Sequence, residues 1–445
     1  MFLALGQRSP FRGCFILLLA VFSLRAAAAP GEVGDWNARY QATYIRQQKD
    51  AFDAPYSGPH SLTAAREQSY TLTATAFLGI RPWRDGALYI DPEVSQGHAL
   101  SNLTGLGGFT NGEMARTSGP DLKLYRARIY LQQNWNLGGE SDAVESGPNQ
   151  LPDAVDRHRL TLTIGNLSLL DIFDSNRYAH DGRAQFENWA LITYGAYDFA
   201  ADSRGYTWAA IAELHEDAWA FRFGRALLPK EPNGLALDTH VFQHYGDQLE
   251  IERDYQYHDW PGTVRLLAYR DRAVLARYSD ALSLAATTNT TPDINAVRDR
   301  EHNKVGIGIS VEQAISDSAG VFARVMRADG ETETEAYATI DQSLSVGIVS
   351  GGRFWHRAQD TIGFAYAWNA VSAQNQKYLA AGGLGFFIGD GRLRYGPEQI
   401  AEVYYNVGLV HGVWLTADLQ HVTNPAYSRD RGPVTVPSLR LHTEF

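Results

Sequence analysis

The chain has one cysteine, Cys14, and it lies in an apolar run close to the N-terminus. Arg8 and Arg12 precede that run, Gly13 to Leu24 form it, and small residues, Ala26 to Ala29, follow it. A positive flank, a short apolar core and small residues make a secretory signal peptide. Residues 1–29 are therefore expected to be removed, with cleavage after Ala28 or Ala29. The apolar core has twelve residues, too few for a membrane helix, which takes about 20. Cys14 leaves with it, which excludes a lipoprotein anchor. The mature chain then has no disulfide, no zinc–thiolate site and no cysteine nucleophile.

Lysine is nearly as scarce: the mature chain has only Lys49, Lys123, Lys230, Lys304 and Lys377, and its other cations are arginines. Losing Arg8, Arg12 and Arg25, and no acid, takes the net charge from −11 to −14. So acidic a chain is a poor partner for nucleic acid. Long hydrophobic runs are also missing. No later segment reaches the ~18 consecutive apolar residues of a membrane helix, and the mean hydropathy is −0.29. A β-barrel survives this exclusion, because alternation hides its lipid face from window averages. No linker or break in composition divides residues 30–445, which read as a single domain.

What is present is alternation. Val305, Ile307, Ile309 and Val311 alternate with Gly306, Gly308, Ser310 and Glu312, and Leu344, Val346 and Ile348 with small or polar neighbours. The last residues repeat the pattern, with Leu439, Leu441 and Phe445 on one face and Arg440, His442 and Glu444 on the other. Sixteen such runs are found: 39–48, 69–79, 85–95, 122–136, 158–168, 204–215, 217–227, 245–256, 261–270, 302–315, 318–329, 340–350, 361–370, 398–409, 412–422 and 434–445. Runs 39–48 and 204–215 fit either face. Backbone amides in lipid must pair internally, so a spanning sheet has to close. The expected fold class is all-β: a transmembrane antiparallel β-barrel of about 16 strands with inward-folded extracellular loops.

The spacers support that topology. Long ones (49–68, 96–121, 169–203, 228–244, 271–301, 330–339, 371–397, 423–433) alternate with short ones, as outer loops alternate with periplasmic turns. Segment 137–157 is the exception, a long spacer on the short side. It is either an extended periplasmic turn or a sign that the register fails there. Trp219, Phe221 and Phe223, then Phe364, Tyr366 and Trp368, and the pair Tyr404 and Tyr405, fall where aromatic girdles belong.

Sixteen strands enclose a lumen too wide for side chains to fill. Alternation places Asp91 and Glu93 inward from run 85–95, and Arg126, Arg128, Tyr130, Gln132 and Asn134 inward from run 122–136. Such a mixture of guanidinium, carboxylate, amide and ring suits a neutral polyhydroxyl solute. Loops 96–121 and 169–203 are long enough to fold into the lumen. The first carries Gly105, Gly107 and Gly108, but it lacks the Gly-Lys-Ser/Thr of a phosphate loop. The second carries Asp171 and Asp174, whose spacing does not fit a 12-residue calcium loop. No metal or cofactor is expected.

Several stretches in order resemble the carbohydrate-selective porins of the OprB type. They are Gly-Leu-Gly-Gly-Phe-Thr-Asn-Gly-Glu (105–113), Arg-Ala-Arg-Ile-Tyr-Leu-Gln-Gln-Asn-Trp (126–135), Asp-Ile-Phe-Asp-Ser-Asn-Arg-Tyr-Ala-His-Asp (171–181), Leu-Pro-Lys-Glu-Pro-Asn-Gly (228–234), His-Tyr-Gly-Asp-Gln (244–248) and Asn-Pro-Ala-Tyr-Ser-Arg-Asp-Arg-Gly-Pro-Val (424–434). The resemblance implies a sixteen-stranded outer-membrane barrel that passes small sugars down a gradient. It also implies a constriction where inward loops meet charged wall residues. By position, Glu113, Arg116, Arg126, Arg128, Asp171 and Arg183 become pore-lining candidates, beside Asp91, Glu93 and Trp189. The expected surroundings are outer-membrane lipid and lipopolysaccharide, and a homotrimer is the assembly to test.

Passive, carbohydrate-selective diffusion is therefore the leading expectation, and a less selective porin for small polar or cationic solutes is the alternative. An enzyme on the outer wall would need a serine–histidine–acid set. No Gly-x-Ser-x-Gly is present and His442 faces the lumen by alternation, so no enzyme is expected. Export of an acidic polysaccharide would want a strongly basic lumen, and this one is mixed.

Overall fold

A computed structural model describes residues 34–445. The expected signal peptide, residues 1–29, lies outside the described residues. Eighteen strands follow one another in the described chain: β1 (Trp36–Lys49), β2 (Glu67–Ile80), β3 (Gly86–His98), β4 (Lys123–Asn136), β5 (Ser141–Val144), β6 (Asp153–Asp156), β7 (His158–Leu167), β8 (Thr207–Glu216), β9 (Trp219–Ala226), β10 (Tyr245–Tyr257), β11 (Trp260–Val274), β12 (Glu301–Ala314), β13 (Ala319–Ala328), β14 (Gln342–Gly351), β15 (Thr361–Ala370), β16 (Glu398–Val410), β17 (Val413–Thr423) and β18 (Val434–Glu444). All but β5 and β6 pair with their neighbours in one closed antiparallel barrel of sixteen strands. β18 closes on β1, with Gln41 opposite Glu444 and Gln47 opposite Ser438. Tyr40 and Phe445 exchange both backbone hydrogen bonds at 2.9 Å. Every one of the sixteen runs read from alternation is a barrel strand, with ends moved by a few residues. No helix among the described residues is long and apolar enough to cross a membrane, so the crossing is made by strands.

The faces follow the side chains. Val305, Ile307 and Ile309 of β12 and Leu344, Val346 and Ile348 of β14 are exposed on the outer wall. Lys304, Ser310 and Glu312, and Ser343 and Ser345, are buried on the inner one. An apolar outer band is what hydrocarbon requires. Trp219, Phe221 and Phe223 stand outward. The Tyr404–Tyr405 pair divides: Tyr405 bonds Trp355 Nε1 at 3.0 Å, while Tyr404 turns inward against Phe186, ring centroids 5.0 Å apart. Successive residues on a strand cannot share a face. The two ambiguous runs also settle. β1 buries Thr43, Ile45 and Gln47, and β8 buries Thr207, Ala209 and Ile211 with Trp208 outward.

One register departs from strict alternation. In the β3–β4 ladder Asp91 pairs with Arg128, but Pro92 pairs with Arg126, leaving Ala127 as an extra residue. Pro92 has no N–H for the ladder, and a β-bulge absorbs the mismatch. Asn166 Nδ2 donates to Ala127 O at 2.9 Å and satisfies the carbonyl. A bulge of one residue flips every side chain beyond it. Arg128, Tyr130 and Gln132 stay inward, Tyr125 comes inward, and Arg126 moves out, its guanidinium 5.3 Å from the outward Trp208 ring. The expectation that Arg126 lines the pore is corrected on this ground.

Segment 137–157 keeps the register and is an extended turn. It begins as the hairpin β5–β6, with Ser141 opposite Asp156 and Val144 opposite Asp153, and its tip returns to the barrel mouth.

At the long-loop end, helices Tyr278–Thr288 and Ala373–Ala380 meet through Tyr278 and Tyr378, ring centroids 5.2 Å apart. Together with neighbouring loops they roof part of the opening.

Candidate pore constriction

The segment between β7 and β8 does not stay outside. It crosses the lumen and is held there by buried wall residues. Arg324 of β13 donates to Leu191 O at 3.0 Å and Ala179 O at 2.5 Å, and pairs with Asp174 at 3.0 Å. Arg440 of β18 donates to Gly182 O at 2.9 Å and Gln185 O at 2.8 Å. Glu402 of β16 accepts the amides of Glu187 and Asn188 at 2.5 and 3.1 Å. Glu250 of β10 accepts the amide of Asp174 at 2.8 Å, and Lys304 of β12 pairs with Asp198 at 2.9 Å. A buried loop must satisfy its backbone somewhere, and here the inward charges of β10–β18 do it. Most of the luminal charge on that half of the barrel is therefore loop scaffold.

The loop between β3 and β4 lies on this plug. Its glycines serve close packing: Gly107 and Gly108 donate their amides to the Glu398 carboxylate at 2.9 and 2.7 Å. Gly105 has φ +85°, and a Cβ there would lie 1.9 Å from the Leu62 nitrogen. Only glycine fits both demands.

What stays open is a cavity of about 850 Å³ against β1–β4 and β7–β9. That volume is within the usual small-molecule range of about 300–1,000 Å³. The channel is thus off-axis, a slot between wall and plug.

The slot is narrowed by two guanidinium groups. Arg183, from the plug, bonds Glu113 at 2.8 Å, Glu93 at 2.9 Å and Thr75 at 3.3 Å. Glu113 also accepts from Thr73 Oγ1, and Glu93 from the Tyr125 hydroxyl. Arg128, from β4, makes a two-pronged contact with Asp171, both bonds 2.6 Å, and reaches Asp91 at 3.4 Å. Such fork-on-carboxylate pairs are strong and fix orientation. Tyr206 lies under Arg128, with the guanidinium 5.3 Å from the ring centroid. Burial works against the charge on Arg183, but Glu113 and Glu93 outweigh it and hold its pKa well above the ordinary guanidinium value. Arg128 and Arg183 each keep 14 % of the side chain exposed, so both present donors to the slot. Among the bonded groups, Arg128 and Arg183 meet Glu93, Glu113 and Asp171 at the slot and Asp91 behind it, so carboxylates outnumber guanidiniums in this network.

Above it lies an aromatic wall. Trp189 stacks on Tyr337 with centroids 5.1 Å apart and planes 4° from parallel. Phe109 and Phe387 meet Trp189 edge-on at 5.1 and 6.3 Å, and Trp189 Nε1 donates to Asn111 O at 2.9 Å. Arg116 sits higher, 3.6 Å over the Phe386 ring, and donates to Asn233 O. Burial brings its pKa down to about 10.

Of the residues singled out from sequence, Glu93, Glu113, Arg116, Arg128, Asp171, Arg183 and Trp189 line this one cavity. Asp91 stands just behind it, fully buried and bonded to Arg128. Arg126 lies outside. Asp174, weighed above as a calcium ligand, is bonded by Arg324 and by Thr193 at 2.8 Å. Sequence reading missed Arg324 and Glu402 as plug anchors, Glu398 as the anchor of the β3–β4 loop, and Tyr125 and Tyr206 as slot residues. Alternation alone could have placed Arg324 inward between outward Val325 and Ala323. Tyr125 was hidden by the bulge.

A closed antiparallel membrane barrel whose aqueous lumen is narrowed by its own loops defines a porin. The model of the carbohydrate-selective porin family, OprB, matches residues 63–445, and the chain belongs to that family. It is an outer-membrane porin for sugars, a channel rather than an enzyme. In such a protein the short turns face the periplasm and the long loops the exterior. Among solved structures, Pseudomonas putida OprB at high pH superposes with a TM-score of 0.67 at 16% identity, over 92% of this chain and 94% of that one. The low-pH form gives 0.49 at 12% identity, over 92% and 93%. The outer-membrane channel DcaP of Acinetobacter baumannii gives 0.49 at 9% identity, over 94% and 100%. No curated protein sequence matches significantly.

Proposed function

We propose that the mature chain, released by signal-peptide cleavage after Ala28 or Ala29, lets small neutral sugars pass through the slot between the wall and the plug. Arg183 and Arg128 supply donors, Glu93, Glu113 and Asp171 supply acceptors, and Trp189 with Tyr337 offers a flat apolar face. A sugar hydroxyl needs both kinds of partner, and its C–H face needs a ring. The observation that carries this reading is the double clasp of Arg183 on Glu93 and Glu113 at 2.9 and 2.8 Å across the slot. It spends neither group fully, because carboxylates accept several bonds and a guanidinium donates five. No bond is made or broken in the solute, and the gradient drives the flux. We place the outer apolar band in lipid and the long-loop rim against lipopolysaccharide, with a homotrimer as the assembly to be measured.

The excess of carboxylate at the narrowing favours one second reading, a less selective pore for small polar or cationic solutes. Single-channel recording on purified protein separates the two. Glucose should reduce the conductance in a saturable way. Strong cation selectivity with no sugar block would support the second reading and sink the first.

A further inference from the structure

The tip of segment 137–157 is bound inside the periplasmic mouth. Asn37 Nδ2 donates to Gln150 O at 2.7 Å and Gly147 O at 3.0 Å. Arg81 pairs with Asp153 at 2.9 Å and donates to Pro152 O at 3.1 Å. The amide of Leu151 donates to the Tyr89 hydroxyl at 3.1 Å, and the Leu151 side chain is buried. Three wall segments thus hold a turn that a plain β-hairpin would not need.

At its apex stands Asn149, with φ 51°, a left-handed conformation that asparagine tolerates and glycine prefers. Its Nδ2 donates to Asp91 Oδ2 at 2.8 Å. The same oxygen accepts from Arg128 Nη1 at 3.4 Å. Arg128 therefore has two anchors: Asp171 on the plug, and Asp91, which the turn engages from below. Asn149, Gln150, Leu151 and Asp153 line the same cavity as Glu113 and Arg183, so a solute past the narrowing next meets the turn. Asp91 Oδ1, Asn149 Oδ1 and Asn37 Oδ1 are buried with no hydrogen-bond partner among the described residues.

We propose that turn 145–152 is a second selectivity station at the periplasmic exit, acting on small neutral polyhydroxyl solutes, and that Asn149 is the positioning residue through which it sets Arg128. This rests on Arg128 being part of the constriction. The station offers amides and hydroxyls from Asn149, Gln132, Asn134 and Thr161 of the cavity wall. These donate and accept beside the paired charges of Arg81 and Asp153 and the Arg159 guanidinium, a mixture that suits sugar hydroxyls.

Asn149→Gly tests it in the full-length protein in planar bilayers. Glycine keeps the backbone conformation and removes the amide clamp. The open-channel conductance is expected to rise. Block by glucose added on the periplasmic side should weaken up to about tenfold, the worth of one hydrogen bond, with block from the outside changing less. The temperature of heat-induced unfolding in detergent should stay at the wild-type value, which a mere brace would lower. A second variant, with residues 146–150 replaced by a short Gly–Ser link, should show the same sided change more strongly. Wild-type conductance and wild-type block from both sides in Asn149→Gly would overturn the proposal. If Arg128→Ala alters the block while Asn149→Gly does not, only the exit station is lost. If neither alters it, the constriction reading fails as well.

Discussion

Arg183 is the residue on which the narrowing turns, because it carries plug charge to wall carboxylates on β3 and on the β3–β4 loop. Removing it sets Glu93 and Glu113 against each other with no cation between. Arg183→Ala should therefore enlarge the conductance, shift selectivity towards cations and weaken sugar block. Arg126→Ala should change none of these, because its side chain lies by Trp208 on the outer wall. Reversal potentials in asymmetric salt, with conductance in the presence of glucose, check both. A pore change in Arg126→Ala as large as in Arg183→Ala would overturn the placement of the bulge. The contrast is chemical as well as geometric: Arg183 faces the slot between two carboxylates, whereas Arg126 covers a ring on the outer wall, where arginine can snorkel.

At the scale of elements, β4 decides which charges reach the lumen. Pro92 cannot donate, Ala127 is bulged, and Asn166 of β7 closes the gap by bonding the Ala127 carbonyl at 2.9 Å. Asn166→Ala leaves that carbonyl buried and unpaired, which costs about 1–3 kcal/mol. Heat-induced unfolding in detergent should show the loss as a lower transition temperature, with little change in the number of sugar-blockable channels. An unchanged transition would mean that another group takes over the carbonyl. The plug obeys the same accounting. Its chain has no sheet partner inside the lumen, so Arg324, Arg440, Glu250 and Glu402 take the place of a ladder.

For the whole molecule, the consequence is an eccentric pore. A simple barrel would expose all its inner faces to water, but here β11–β18 are largely covered by the plug and the open cavity lies against β1–β4 and β7–β9. The only cysteine, Cys14, lies within the expected signal peptide, so single cysteines can be introduced cleanly. A cysteine in place of Gln132 should react with a water-soluble, membrane-impermeant thiol reagent. One in place of Ser345, inward but buried beneath the plug, should not. One in place of Ile307, on the outer wall, should react only with a lipid-soluble reagent. Rapid aqueous labelling at Ser345 would mean the lumen is open across its full width.

Alternation and loop lengths carried the barrel, its sixteen strands and the inward loops, because lipid on one side and water on the other impose a period of two on every strand. They carried the inward positions of Asp91, Glu93 and Arg128 for the same reason. They could not carry Arg126, because alternation assumes an unbroken ladder and one extra residue reverses everything beyond it; Pro92, which cannot donate to the ladder, is the one sequence mark of the break. Nor could they tell a luminal arginine that faces the open slot, Arg183, from one that holds a loop, Arg324 or Arg440, since both look alike along a strand or loop. That difference is made by contacts between residues more than a hundred positions apart, such as Arg324 with Asp174 or Arg440 with Gly182. A one-dimensional pattern holds only neighbours, and the closed barrel brings those distant partners together.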